Sequence, residues 1–518
     1  MERIFDFIDD TGILGLDHDV SRKCGLSTLD FETQSHDALR ALADREIRKF
    51  PFNTVEKCWF RLYTILSISQ AALEFAFHKD CTTHSVQECE KDLSKAISIL
   101  DYALIIAGGY GREEAIQTLF ELLCPVAENL DRGQKASEIR PSKKRRLNGS
   151  SRDSQLPTNL VAVPQITKPV QELQTPSLSQ FERHMHNVQE PVLLEGTIGH
   201  WPVLEKWPSS EYWLKHTLGG RRLVPVEIGQ SYMDDDWRQE IMPFRTFLKT
   251  YITNADNTDS VGYLAQHDLM TQIPELRKDI AIPDYCYCEK PLENVYRRGT
   301  RESTPDQTSD PSTGSCPNLE SQTESQSTSE GTEASLHEAK QNDDEVSSSN
   351  CSSPTSSEDD VEHQSSSDDQ QSPILHINHT TVHQNIWMGG RTVSPLHHDP
   401  YHNILCQVHG TKYVRLYSPQ YSSNLYPKSS KEPAPHVGST ECAEEISRHT
   451  IDMSNNSQVD IYAMELSPEE DWDEKWPGIS KVPYLECLLK PGQALYIPKG
   501  WWHYVRACSV GISISFWW

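Results

Sequence analysis

No stretch of the chain stays apolar for the ~18 residues that a membrane-spanning helix needs, which predicts a soluble protein. The N-terminal MERIFDFIDD has no basic region ahead of an apolar one, so no secretory leader is expected. Basic residues are in deficit: 48 Lys and Arg stand against 75 Asp and Glu, a net charge of −27 over 518 residues. That balance argues against non-specific nucleic-acid binding, which needs a cationic surface. The 13 cysteines, from Cys24 to Cys508, follow no framework spacing, which points to a reducing compartment. Cys286 and Cys288 form a C-x-C pair without the second cluster of a zinc site, and are read as structural thiols. No internal repeat is strong enough to indicate an array.

What is present divides by composition. Residues 1–130 read as an α-helical domain: Leu39, Leu42 and Ile47, then Phe60, Leu62, Ile65 and Leu66, then Leu93, Ile97, Leu100 and Leu104 recur at helical spacing, and Gly108 and Gly109 stop the last of these helices. Residues 131–165 are a Ser-, Pro- and Lys/Arg-rich linker whose KKRR at 143–146 suits a nuclear localisation signal as well as a solvated hinge. Strand patterns with a few helices occupy 166–296 and resume over 373–518. SLSQFERHM, a segment capped by Ser209 or Ser210, and PFRTFLKTYI predict helices. RRLVPVEIG, GYLAQ, HINHTTVHQNIW, PYLECLLK, ALYIP, HYVRAC and VGISISFWW predict strands, while 420–480 reads as polar loops with a turn at WDEKWPG. Between the two strand-rich parts, 297–372 has almost no aromatic or branched apolar residues. It cannot bury enough surface to offset chain entropy and is expected to be disordered, with Ser356 and Ser365 as candidate acidophilic-kinase sites. The fold class is therefore mixed α and β.

The chemistry concentrates in SPLHHDPYHNILCQVHGTKYVRLYSP at 394–419 and in PGQALYIPKGWWHYV downstream. Residues two apart in a strand share a face, so His397 and Asp399 project together and His398 points away. His503, opening a strand after the turn at Pro498 and Gly500, completes a set of two imidazoles and one carboxylate. Such a set leaves positions open on a metal, as non-haem Fe(II) oxygenases require. Catalytic zinc takes the same donor types and fits less well. Lys412 shares the face of Val414 and Leu416, an ammonium among apolar side chains with no acidic residue in its strand. A bound carboxylate such as that of 2-oxoglutarate is the attractive counter-ion, with Asn403 and Ser394 as further hydrogen-bonding groups. His376, His379, His383, His402 and His409 carry no assigned role.

HHD at 397–399, Lys412, and Gly492, Pro498 and His503 in a G-x5-P-x4-H run together resemble the JmjC-type, cupin-fold 2-oxoglutarate oxygenases. The resemblance covers residues 166–296 and 373–518. It implies a C-terminal double-stranded β-helix with helical decoration, interrupted by the insert. It also implies residue roles that pattern alone does not supply. Tyr263 resembles a phenol bonding the distal carboxylate of 2-oxoglutarate, and Gln266 a polar group facing substrate. Glu227 and Trp237 resemble residues that hold a target side chain, implied to be arginine, by a bidentate carboxylate contact and by stacking. Trp387 resembles a pocket wall, although its interval to His397 is one residue short. Taken alone, each of these five fits an ordinary strand or surface position.

The leading expectation is an Fe(II)- and 2-oxoglutarate-dependent protein oxygenase that uses dioxygen as co-substrate to hydroxylate an arginine carbon. Demethylation of a histone lysine is the alternative. A chromatin-associated binding protein dominated by its helical domain is a third reading, and peptide cleavage after modified arginine, attached to the family, has no distinct nucleophile here.

Overall fold

The computed structural model describes residues 18–26, 34–49, 54–76, 85–138, 154–161, 163–233, 236–254, 260–291, 381–430, 432–433 and 450–518. The insert 297–372, KKRR at 143–146, Ser356, Ser365, His376 and His379 lie outside them.

Helical periodicity in the N-terminal region gives α1 (His18–Lys23), α2 (His36–Ile47), α3 (Lys57–Ala76), α4 (Val86–Ala107) and α5 (Glu113–Glu138). Each start has a physical signal where the chain supplies one. Ser35 caps α2, and Ser85 with Glu88 closes a reciprocal capping box on α4. Gly108, at φ 64°, ends α4 in the left-handed conformation glycine adopts without strain. The apolar faces of α3, α4 and α5 meet in one core that also takes in Leu218 from beyond the linker.

The remaining strands are β1 (Gln171–Gln174), β2 (Val192–Glu195), β3 (Leu223–Ile228), β4 (Arg238–Pro243), β5 (Gly262–His267), β6 (His383–Gly389), β7 (Val393–His398), β8 (Asn403–His409), β9 (Lys412–Tyr417), β10 (Glu432–Pro433), β11 (Thr450–Ile451), β12 (Tyr484–Leu489), β13 (Ala494–Ile497), β14 (Trp502–Ala507) and β15 (Gly511–Trp517). Nine form the major sheet, in the order β1-β2-β13-β8-β15-β6-β5-β3-β4, and four form the minor sheet, β12-β9-β14-β7. Alternation sorts their side chains into three layers. Val414, Leu416, Leu495, Ile497 and Val505 fill the space between the sheets. On the outer face of the major sheet, Val224, Ile386, Ile514 and Phe516 pack against Phe181, Trp207, Trp213 and Phe247 of the decorating helices. Behind the minor sheet, Tyr413, Tyr417, Trp502 and Tyr504 pack under Leu425, Val459 and Ile461. Two sheets closed face to face, with helices outside, are the double-stranded β-helix expected.

Three local expectations change. WDEKWPG contains a helical turn, Trp472–Lys475, because the Asp471 side chain accepts from Asp473 N and starts it. The 420–480 region is more ordered than its polarity suggests, with helix Ile461–Leu466 capped by Asp460. Its residues 455–457 run along β7: Asn455 O accepts from His398 N at 2.9 Å, and Ser457 N donates to Leu396 O at 2.8 Å. The strand read over HINHTTVHQNIW begins at His383 within the described residues. Among those residues no helix is long and apolar enough to cross a membrane.

The minor sheet is braced from outside by a buried carboxylate. Glu486 of β12 accepts from Thr167 N at 2.7 Å, Thr167 Oγ1 at 2.9 Å, Lys168 N at 3.1 Å and Tyr413 OH at 2.6 Å. Burial raises its pKa, but the hydrogen bonds from Tyr413, Thr167 and Lys168 outweigh that and leave it below 4.5. Its contribution is therefore full at neutral pH and lost as pH falls through the folded value. Glu486→Ala, which orphans these donors, is expected to lower stability by about 3 kcal/mol in urea titration at neutral pH. The loss shrinks as the pH approaches the folded pKa; a pH-independent loss would contradict the ionic role.

Candidate active site

The two imidazoles come together through strand register. His397 on β7 and His503 on β14 are direct antiparallel partners, and cross-strand neighbours on one face sit within side-chain contact. Their ring centroids are 4.2 Å apart. Asp399 follows β7 and is held by its carbonyl, which accepts from Gly500 N at 3.0 Å. Its oxygens lie 3.9 Å from His397 Nε2 and 3.6 Å from His503 Nε2. One donor atom from each of the three falls within 4.8 Å of the others, and among the described residues this is the one such cluster.

Tautomers follow from the backbone. His397 Nδ1 lies 2.7 Å from Pro395 O and His503 Nδ1 3.0 Å from Trp501 O. A carbonyl only accepts, so each Nδ1 carries the proton and each Nε2 presents a lone pair toward Asp399. Burial, and then the charge of His397, hold His503 down to about 4, so it is neutral at physiological pH. The two Nε2 atoms and the carboxyl oxygens of Asp399 make a donor set that fits a divalent metal. His398 turns away and meets Trp502 edge-on at 4.6 Å, while His402 bonds Tyr496 OH and His409 approaches Pro157 O. His383 is exposed against Tyr401.

The triad opens on a cavity of about 580 Å³. All eleven residues singled out from the sequence line it: Glu227, Trp237, Tyr263, Gln266, Trp387, Ser394, His397, Asp399, Asn403, Lys412 and His503. Lys412 is 3% exposed and donates to Tyr263 OH at 3.2 Å. Among the described residues no carboxylate pairs with it, and burial brings its ammonium down to about 7. Asn403 Oδ1 is buried without a hydrogen-bond partner. Burial, followed by the charge of Glu227, pushes the Tyr263 phenol up, while the Ser394 and Thr392 side chains pull the other way. The buried Lys412 ammonium, with no carboxylate to pair with among the described residues, marks a place shaped for an anionic ligand, whereas the orphaned Asn403 oxygen, an acceptor, calls for a donor.

At the other wall, Glu227 lies on β3 opposite Tyr263 of β5. Burial raises its carboxyl, with Trp237 and Gln239 opposing the rise. The Trp237 indole N–H closes no hydrogen bond of full geometry. Trp387 is fixed by donating to Ser515 Oγ at 2.9 Å.

Gln266 reaches the cavity against simple alternation. Period two puts it on the face of Leu264, which is wholly buried in the core. The β5–β6 register shifts between Leu264 and His267, and Gln266 sits at φ +47°. This bulge, in a conformation costing a non-glycine residue about 1–3 kcal/mol, turns Tyr263, Ala265 and Gln266 all toward the cavity.

Several wall residues escape sequence reasoning. Tyr232 donates to Asn456 Oδ1 at 2.7 Å, and Asn456 bridges to His397 across β7. Asn456 lies in DMSNNSQ, which has no periodicity, and Tyr232 in the polar SYMDDDW run, so neither carries a signal beyond its polarity. Tyr401 and Trp517 stack at 5.7 Å at the mouth; only the terminal aromatic run hinted at this.

Residues 178–518 match the family described as cupin-like domain. The chain is 33% identical over 371 residues to lysine-specific demethylase 8 of Xenopus tropicalis, covering 71% of this chain and 57% of that protein. It is 30% identical over 352 residues to Jumonji C domain-containing protein 5 of Drosophila melanogaster, covering 67% and 59%. A shorter match, 28% over 135 residues, covers 26% of the chain and 40% of the human bifunctional peptidase and (3S)-lysyl hydroxylase JMJD7. The chain thus spans less than two thirds of the length of the first two relatives.

Mn(II), used as a redox-stable probe in anaerobic calorimetry, is expected to bind the purified protein at one site. Asp399→Ala and His503→Ala should each weaken binding by roughly 100-fold, with thermal unfolding of the metal-free variants little changed. Wild-type-like affinity in either variant would exclude the triad.

Proposed function

The chain belongs to the cupin-like, JmjC-domain family, and from that premise we propose that it is an Fe(II)- and 2-oxoglutarate-dependent oxygenase that hydroxylates a carbon of protein arginine. The observation that carries the co-substrate is Lys412, buried in the cavity of the triad with no carboxylate to pair with among the described residues. His397, Asp399 and His503 would hold Fe(II). When bound with 2-oxoglutarate and dioxygen, the metal supplies oxidation of a C–H bond to C–OH, coupled to decarboxylation of the oxoacid to succinate and carbon dioxide.

The chain's own residues would do the rest. Lys412 would meet the distal carboxylate of 2-oxoglutarate, with the Tyr263 phenol and the Asn403 and Ser394 side chains as further hydrogen-bonding groups. Val505, Leu405 and Ile497 line the same cavity with apolar surface that would limit water around the oxoacid. Glu227 would accept two guanidinium N–H groups and Trp237 would stack on their plane, with Gln266 and Trp387 bounding the side chain. A carboxyl whose pKa is raised by burial gains most from a fixed cation, which supports arginine over a neutral target.

Lysine demethylation is favoured by a different observation, the name of the similar Xenopus protein. Hydroxylation of an N-methyl group gives a hemiaminal that releases formaldehyde. A nuclear setting, in which chromatin proteins would be candidate substrates, is supported by KKRR at 143–146. Mass spectrometry of arginine-rich and methyl-lysine peptides incubated with protein, iron and 2-oxoglutarate separates the readings. Gain of one oxygen on arginine is expected; loss of methyl would establish the demethylase instead, and neither change would leave a binding role. His397→Ala should abolish 2-oxoglutarate turnover while preserving the fold.

Lys412 adds a linkage test. Its free ammonium is held at about 7, so at about pH 8 most molecules carry it neutral, and a carboxylate ligand restores the charge. Calorimetry of 2-oxoglutarate binding in buffers of differing ionisation heat should reveal uptake of nearly one proton at that pH and almost none near pH 6. Lys412→Met should remove the uptake and weaken binding roughly 100-fold, about 2.7 kcal/mol. Binding without proton uptake would place the carboxylate elsewhere.

A further inference from the structure

The wall that β5 contributes to the cavity is tied to a polar chain that begins in the helical region. Asp101 of α4 is fully buried, and its carboxylate accepts from Arg222 Nε at 2.9 and 3.1 Å, from Leu223 N at 2.7 Å and from Gln272 Nε2 at 2.7 Å. Gln272 Nε2 also donates to Leu223 O at 2.8 Å. Both partners of that nitrogen are acceptors, so the amide orientation is determined and Oε1 faces His267, whose Nε2 lies 2.7 Å away. The imidazole therefore donates from Nε2; burial keeps it below its usual range and hence neutral.

His267 directly follows Gln266 and is the residue at which β5 returns to register with Ile386 of β6. The bulge has an obvious alternative, the unbulged pairing in which Gln266 falls on the core face with Leu264 and loses its positive φ. Something must hold the strained form, and the hydrogen bond from His267 to Gln272 is attached at its end. Leu223 in turn begins β3, whose later residue Glu227 faces the same cavity.

We propose that Asp101 is a positioning residue for the substrate wall: through Gln272 and His267 it clamps the β5 bulge that turns Gln266 into the cavity, and through Leu223 N it sets the strand that carries Glu227. The helical region is then part of the specificity apparatus rather than a separate stabilising cap. None of these groups touches the triad or Lys412, and the clamp attaches at His267, the opposite end of β5 from Tyr263, so its effect falls on Gln266 and Glu227 ahead of the metal and oxoacid groups.

Two variants of the full chain test this. Asp101→Asn presents an amide to donors that need acceptors, and His267→Phe keeps ring volume while removing the bond to Gln272. Hydrogen–deuterium exchange on the metal-free protein should show the amides of 262–267 exchanging roughly tenfold faster in both variants, with 393–399 unchanged. The kinetic arm rests on the oxygenase reading: KM for the peptide substrate should rise roughly fivefold or more, while substrate-independent 2-oxoglutarate turnover stays within about twofold of wild type. Unchanged exchange over 262–267 in a folded His267→Phe protein overturns the proposal, even if Asp101→Asn fails to fold. Exchange that rises without any change in peptide KM overturns the specificity role. Absence of turnover in the wild-type protein would instead defeat the oxygenase reading and leave the exchange result to decide the clamp.

Discussion

The register of the minor sheet brings together the two imidazoles of the triad and the Lys412 ammonium. Lys412, His503 and His397 lie on adjacent strands, and each faces inward only because β9, β14 and β7 are paired as they are. A slip of one residue would send Tyr413, Tyr504 and His398 inward and bury neither the donor set nor the ammonium. The outer face resists such a slip. Tyr413 is tied to Glu486, and Tyr504 and Arg506 are tied to Glu465 at 2.7 and 2.9 Å. Trp502 donates to Ser422 Oγ at 2.9 Å, and 455–457 run along the free edge of β7. Each anchor is a polar tip on a residue whose neighbours in sequence are the functional ones, so alternation itself links support and site.

Such anchoring is required because the inward residues destabilise the fold without ligand. Holding the Lys412 ammonium at about 7 instead of 10.5 corresponds to roughly 5 kcal/mol against the charged form at neutral pH. Burying two or three aliphatic side chains, at about 2 kcal/mol each, offsets that amount. Val414, Leu416, Leu495 and Ile497 supply such burial around it. On the proposed reading the cavity is a region where fold stability is exchanged for affinity toward an anion, and a bound carboxylate would recover part of it by linkage.

Whatever depended on short-range alternation was legible in the sequence. His397, the outward His398, and Lys412 in line with Val414 and Leu416 follow from counting by two in strands, and Asp399 joins His397 although it lies one residue past the end of β7. Gln266 was not legible that way, since counting by two from Tyr263 puts it on the wrong face and only the bulge restores it. The resemblance supplied the residue, while the physical reason lies in a backbone angle. Tyr232 and Asn456 were out of reach because they lie in aperiodic polar runs whose contacts are 224 residues apart. The extended pairing of 455–457 with β7 was hidden for the same reason.

The junction between the helical and strand-rich parts was the least legible feature. Composition breaks at 131–165, and the helices before it look complete in themselves. Yet Arg221, whose side chain is wholly buried, pairs with Glu90 at 2.6 Å and Asp131 at 2.8 Å, and Arg222 pairs with Asp101 at 2.8 Å while lying over the Phe120 ring. Each arginine sits one or two residues before β3, and each carboxylate lies on α4 or α5. Removing either side would strand buried charges on the other, a penalty of several kcal/mol that surface docking does not impose. Sequence signals of this kind are weak, because an Arg-Arg pair before a strand looks like a solvated edge until its partners are known. The linker thus separates two compositions but not two independent structures, and the strand that carries Glu227 starts from charges that, among the described residues, the helices neutralise.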